Sequence, residues 1–107
     1  MARIKDGAKR RNLEFAIDPQ YVWELFLTQN RKCALSGKEI GFGELCHSVA
    51  TASLDRIDNS QGYVVGNVQW VHKDLNRMRN SFDVEYFVET CRQVAAYHES
   101  AIMDGDQ

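Results

Sequence analysis

A small α+β domain, with a β-hairpin running into a helix and further helices on either side, is predicted by three features of the sequence. Residues 52–79 change from a strand-like pattern to a helical one within a single stretch, ASLDRIDNSQGYVVGNVQWVHKDLNRMR. The turn formers DNSQG divide its first part in two, as a hairpin loop would. Before and after it lie apolar stripes at helical spacing, each behind an Asp able to cap a helix.

Taken in order, residues 1–12 (MARIKDGAKRRN) have no apolar period and are expected to form a mobile arm. The arm is basic, with Arg10 and Arg11 as candidate contacts to a phosphate backbone, the alternative being a merely solvated terminus. Leu13, Phe15 and Ile17 alternate with Glu14 and Ala16, which suits a short extended segment. Asp18-Pro19 then starts a helix, Asp as N-cap and Pro at the first helical position, where a missing N–H does no harm. Val22, Leu25 and Phe26 form its apolar stripe, Trp23 and Leu27 widen it, and it should fade near Gln29-Asn30.

Gly37, Gly41 and Gly43 make the next stretch one of turns. The hairpin is expected from residues 46–57 and 63–71, with Asp58 and Asn59 as turn formers bonded to local backbone. From about Val71 the period becomes helical. Val71, Leu75 and Met78 fall on one apolar face, and His72, Asn76 and Arg79 on an adjacent polar strip. After Asn80-Ser81, Asp83 caps a last helix whose stripe of Val84, Phe87, Val88, Cys91, Val94 and Ala95 is expected to close the core. Trp23 and Trp70 are read as packing residues rather than base-stacking platforms. No repeat or linker interrupts the chain, so residues 1–107 are read as one domain with its core at about 21–92.

With 44% hydrophobic residues, the chain can build a core without disulfide staples. No apolar run is long enough to span a membrane, and the basic start is not followed by the apolar run of a secretory signal. Cytoplasm is therefore the expected location, or the nucleoid if DNA is the partner. Cys33, Cys46 and Cys91 are odd in number and widely spaced. They argue against a disulfide framework, and the absence of a C-x-x-C pair argues against a structural zinc. The net charge of −2 does not by itself advertise a nucleic-acid binder.

The central stretch does carry chemistry. Hydrolysis of a phosphodiester needs a metal to neutralise charge, a nucleophilic water, and help for the leaving oxygen. Asp55 is the best candidate ligand for a magnesium ion, which takes few carboxylates and keeps several waters. Arg56 follows it directly, and both reach one site only where the strand ends or twists. Asn67 and Gln69 share a face of the second strand, and His72 and Asn76 lie one helical turn apart. Lys73, Arg77 and Arg79 could meet phosphate from the helix, or simply form a solvated face.

SLDRID, GYVVGNVQWV and HKDLNRMR, in this order and spacing, resemble the core of the HNH nucleases, the ββα-metal fold. QNRKCALSG before them resembles the knuckle that precedes this core in many phage and bacterial members, and the likeness runs from about Tyr21 to Cys91. It implies a DNA endonuclease dependent on a divalent metal, of phage or mobile-element origin. Asp55 would be the metal-binding aspartate and Asn67 the asparagine that orients the loop. Asn76 would stand at the final metal ligand, with His72 one turn earlier as a further ligand. Arg56 occupies the place of the family's general-base histidine, as in a variant branch that includes restriction enzymes. A guanidinium cannot take a proton, so Arg56 would instead hold the scissile phosphate. The water would then be activated by His47, the most plausible substitute, by His72 or Tyr63, or as metal-bound hydroxide. An amide at position 76 favours Mg²⁺ or Mn²⁺ over zinc. Ser36 stands where the knuckle's second cysteine would sit, so packing must replace a four-cysteine zinc site.

Two other readings stay open. One is a catalytically inactive nucleic-acid-binding module on the same scaffold, and the other a protein-interaction domain, which the acidic balance favours. A domain this small reads little DNA sequence alone, which leaves room for a homodimer or a partner protein, although no dimer surface is legible in the sequence. Asp55 is expected to tolerate replacement by alanine with the fold nearly intact.

Overall fold

The computed structural model describes residues 15–43 and 50–103, with side chains up to residue 100. The arm with Arg10 and Arg11, and the segment holding Cys46 and His47, lie outside the described residues. The fold is α+β. In chain order it has β1 (Phe15–Ala16), α1 (Pro19–Thr28), β2 (Ala52–Arg56), β3 (Tyr63–Val64), β4 (Val68–His72), α2 (Lys73–Arg79) and α3 (Val84–Met103).

Helix α1 starts as its sequence requires. The Asp18 carboxylate accepts the Tyr21 N–H at 2.7 Å, and Pro19 opens the first turn. Val22 and Phe26 are buried on the hairpin side, whereas Trp23 is 41% exposed. Trp23 therefore packs at the edge of the core, against Phe26 and Phe42, with the Arg31 guanidinium over its ring.

β2 and β4 pair antiparallel, Ala52 opposite His72 through to Arg56 opposite Val68. Trp70 sits at the centre of the resulting core, its ring edge-on to Phe26 and Phe42 and its indole N–H donating to the Val22 carbonyl at 2.7 Å. The outer side of β4 is met by the segment after α1. The Gln29 side chain accepts from the Trp70 N–H and donates to the Trp70 carbonyl, Ala34 N–H donates to that carbonyl too, and His72 N–H donates to Cys33 Sγ. A strand edge that would otherwise offer free backbone groups is thereby covered.

Cys33 also accepts from the Leu35 and Ser36 N–H groups, so one sulfur ties the knuckle to the end of β4. Burial pushes its thiol up. The hydrogen bonds from the Ser36 side chain and from the His72, Ser36 and Leu35 amides outweigh that and hold it below its ordinary value.

Three expectations need correction. Residues 63–71 are not one strand, because the chain turns at Gly66, whose φ of +88° suits glycine, and the Asn67 N–H closes the turn on Val64 O. The part before the turn, β3, pairs instead in parallel with β1. Val71 belongs to β4 rather than to the helix and is fully buried, while Met78 is exposed. α2 thus turns inward the strip read as polar, with Arg79 at its end. The stripe of α3 does not close the core either, since Phe87 is buried but Val88 and Val94 stand in solvent.

Replacing Asp18 by Ala removes the acceptor for one of the orphan donors of α1 and should destabilise the domain by about 1 kcal/mol. A urea titration with an unchanged slope and a lower midpoint checks it.

Candidate functional site

The end of β2, the loop that follows it and the outer turns of α2 enclose a cleft of 260 Å³. It is lined by Leu54, Asp55, Arg56, Asn59, Tyr63, Asn76, Arg77 and Asn80. Hairpin register explains its floor. Asp55 lies opposite Gln69 across the ladder, and the Gln69 amide donates to Asp55 Oδ2 at 3.0 Å. From α2, Arg79 Nη2 donates to Asp55 Oδ1 at 2.5 Å. Asp55 is buried and Arg79 has no exposed surface, so this ion pair is shielded from water.

The same guanidinium donates to the carbonyls of Arg56 and Phe82, at 2.6 Å each, while its Nε is buried with no partner among the described residues. Arg79 as a nucleic-acid contact is therefore corrected. It is an internal cation, turned inward because Asp55 is buried beneath α2.

Arg56 points away from Asp55, as strand neighbours must. Its Nη1 donates to the carbonyls of Asn59 and Gln61 at 2.8 and 2.9 Å, and its guanidinium lies over the Tyr63 ring. Arg56 thus braces the loop while still lining the cleft. Asn67 holds the loop from below. Its Oδ1 accepts the Asp58 N–H at 2.8 Å, and its Nδ2 donates to the carbonyls of Asp58 and Gly62 at 3.1 and 2.9 Å. All this is done by a buried amide, so each bond is worth more than it would be in water.

Asp58 closes the turn above by accepting from the Ser60 hydroxyl and amide, which hold its carboxyl below the usual range. Asn59 Nδ2 links the loop to the α2–α3 turn through the Ser81 carbonyl.

On α2, Asn76 lines the cleft and donates through Nδ2 to Ser53 Oγ at 2.7 Å. Arg77, one residue on, is exposed at the rim. His72 and Lys73 are not brought to the cleft. His72 ends β4 opposite Ala52, three pairs along the ladder from Asp55. Its Nδ1 accepts the Asp74 N–H at 3.1 Å as the N-cap of α2, which corrects its placement within the helix. Lys73 opens α2 beside it, with its own N–H donating to Thr51 O.

Gln69 enters as the partner of Asp55, where the sequence placed it only on a shared strand face with Asn67, and Ser53, Asn59 and Asn80 are participants that the site reading lacked. The register Asp55↔Gln69 follows once the hairpin is fixed, so Gln69 was within reach of the sequence. The other three depend on how α2 leaves the sheet.

An ionised carboxylate has about four lone-pair positions, so Asp55 can accept Arg79 and Gln69 and still offer oxygen to a cation. Among the described residues no three of His, Cys, Asp and Glu converge. The donor set is thus one carboxylate and a neighbouring amide, a sparse oxygen set that fits a well-hydrated magnesium ion better than zinc.

No family model and no solved structure matches the chain. It is similar to an uncharacterized 29.0 kDa protein from the dda-modA intergenic region of Enterobacteria phage T4, 34% identical over 86 residues, covering 78% of this chain and 32% of that protein. It is also similar to an uncharacterized protein of Acanthamoeba polyphaga mimivirus, 28% identical over 95 residues, covering 89% of this chain and 16% of that protein. The chain thus spans a third or less of the length of these viral relatives.

The buried pair changes what an alanine at position 55 should do. Asp55→Ala leaves the Arg79 guanidinium buried without a counter-ion and should cost about 3–5 kcal/mol. Asp55→Asn also removes the counter-ion but keeps an oxygen acceptor for Arg79, so it should cost less than Asp55→Ala. Chemical denaturation of the two variants side by side measures the difference.

Proposed function

We propose that the chain is a divalent-metal-dependent DNA endonuclease of viral or mobile-element type, acting in the cytoplasm of its host. The observation that carries the reading is the cleft. A carboxylate, two arginines and the amide of Asn76 line one depression, where a strand, a pinned loop and a helix meet. The resemblance of SLDRID, GYVVGNVQWV and HKDLNRMR to the HNH core supports it, as does the viral origin of both relatives.

In this reading Asp55 and Asn76 would hold Mg²⁺ or Mn²⁺. When bound, the ion neutralises phosphate charge and lowers the pKa of water. Arg77, free of ion pairs among the described residues and exposed at the rim, takes the incoming phosphate. The edge of Arg56 on the cleft side offers planar donors to the phosphoryl oxygens as charge develops on them. Asn67 keeps that arginine in place by fixing the loop whose carbonyls Arg56 binds. His72 is held at the far end of the ladder, so it is no base here. Tyr63 lines the cleft, and His47 remains the proposed proton acceptor.

A second reading, a nucleic-acid-binding module without catalysis, is favoured by one specific observation. Both oxygens of Asp55 already receive donors from the protein, so the carboxylate is satisfied without a cation.

Plasmid cleavage in Mg²⁺, Mn²⁺ or EDTA distinguishes the two. The nuclease reading predicts metal-dependent nicking or linearisation, reduced about 100-fold or more in Asp55→Asn. Arg77→Ala should weaken binding across DNA sequences and lower the salt slope by about one. DNA affinity that persists in EDTA, with no cutting under any metal, selects the binding module. Cutting by Asp55→Asn at the wild-type rate removes the metal assignment.

A further inference from the structure

The apolar side of α3 is the largest feature that the cleft does not use. Residues 92–100 are all exposed, so the second half of this helix stands away from the body of the domain. A stretch of that length is marginal as an unsupported helix in water, since most helical stability in proteins comes from packing an amphipathic face. Its face is amphipathic all the same. At 100° per residue, Glu85, Glu89, Arg92 and Glu99 gather on one side. The other side carries no carboxylate, lysine or arginine and continues into the α2–α3 turn. Met78, Phe82, Tyr86, Val94 and Tyr97 are each between 52% and 72% exposed there.

A large side chain presents roughly 200 Å² when fully exposed, so these five leave on the order of 600 Å² of surface open. That is at or above the largest patch expected on a monomer, and close to the roughly 800 Å² per partner of a standard stable interface.

We propose that this face is a dimer interface, occupied by α3 of a second copy of the chain running antiparallel. Apart from His98 the face carries no charge-bearing side chain on α3, so two copies meet without burying a carboxylate, lysine or arginine, and their charged sides both stay in water. Antiparallel packing also sets the helix dipoles in their favourable arrangement. The groove of 380 Å³ between the α2–α3 turn and α3 then receives the projecting half of the partner's helix, and the reverse holds by symmetry. A two-fold axis near the helix midpoint passes within a turn of Cys91, which is a free, half-buried thiol. Nothing in this inference depends on phosphodiester chemistry, and its failure would leave the reading of the cleft untouched.

Sedimentation velocity of the full chain from low to several hundred micromolar tests it. The wild type should be dimeric in that range. Val94→Glu, which puts a carboxylate on the face at a position already exposed in the monomer, should weaken the dimer about 100-fold or more. Ala96→Glu adds the same charge on the opposite side of α3 and should leave it intact. A short bis-maleimide should link two chains in the wild type and not in Cys91→Ser. A monomer at every concentration overturns the proposal and assigns the face to a different protein, and a dimer indifferent to Val94→Glu overturns it in favour of another surface.

Discussion

The contact between Arg79 and Asp55 is the constraint on which the rest of the site depends. Removing two charges from water is expensive, and the pair is tolerable only because other groups complete it. Gln69 supplies the second donor to the carboxylate, and the carbonyls of Arg56 and Phe82 receive the remaining guanidinium edges. Those partners belong to β4, the end of β2 and the α2–α3 turn. One side chain thereby fixes how the helix crosses the hairpin, where the strand ends and where the chain leaves α2. A lysine could not do this, since three donors on a point charge do not span acceptors set so far apart.

The loop above the cleft obeys a second constraint of the same kind. Eleven residues separate β2 from β4, and a loop of that length has no preferred shape without internal bonds. Asn67 supplies them from beneath through both ends of its amide, and Arg56 supplies them from the side. The two residues are coupled, because the carbonyls that Arg56 binds are presented by the turn that Asn67 holds. Arg56 therefore contributes to architecture whether or not it meets a phosphate.

What the sequence made legible was what local chemistry decides. Asp18-Pro19 fixed the start of α1, and the turn formers at residues 58–62 located the loop. The Asp58 turn formed with its own neighbours, as residue type alone suggests. Less legible was anything that depended on which way an element faces. The strip His72, Asn76 and Arg79 has the spacing of one helix face, with His72 and Asn76 expected at the metal site and Arg79 at phosphate or in solvent. Tertiary structure turns Arg79 inward instead, because a buried carboxylate lies beneath. His72 fell outside the helix because β4 continues one residue further and its ring serves better as a cap. The turn at Gly66 was hidden inside GYVVGNVQWV, where β-branched residues on both sides make an unbroken strand pattern. One glycine at positive φ redirects the chain.

The apolar stripe of α3 shows the limit of periodicity most clearly. Spacing identifies an apolar helical face, and a helix forms over that stretch. It does not say whose surface receives that face. Within this chain the hairpin core is already closed by α1 and by the segment after it, which fill the side of Trp70 that a third layer would need. Phe87 alone from the stripe is fully buried, Val84 and Cys91 are half-buried, and Val88, Val94 and Ala95 stand exposed. A stripe longer than the core beneath it is a demand for burial that the monomer does not meet. The physical question passes from folding to association, where the same apolar area is set against the loss of translational freedom rather than of chain entropy.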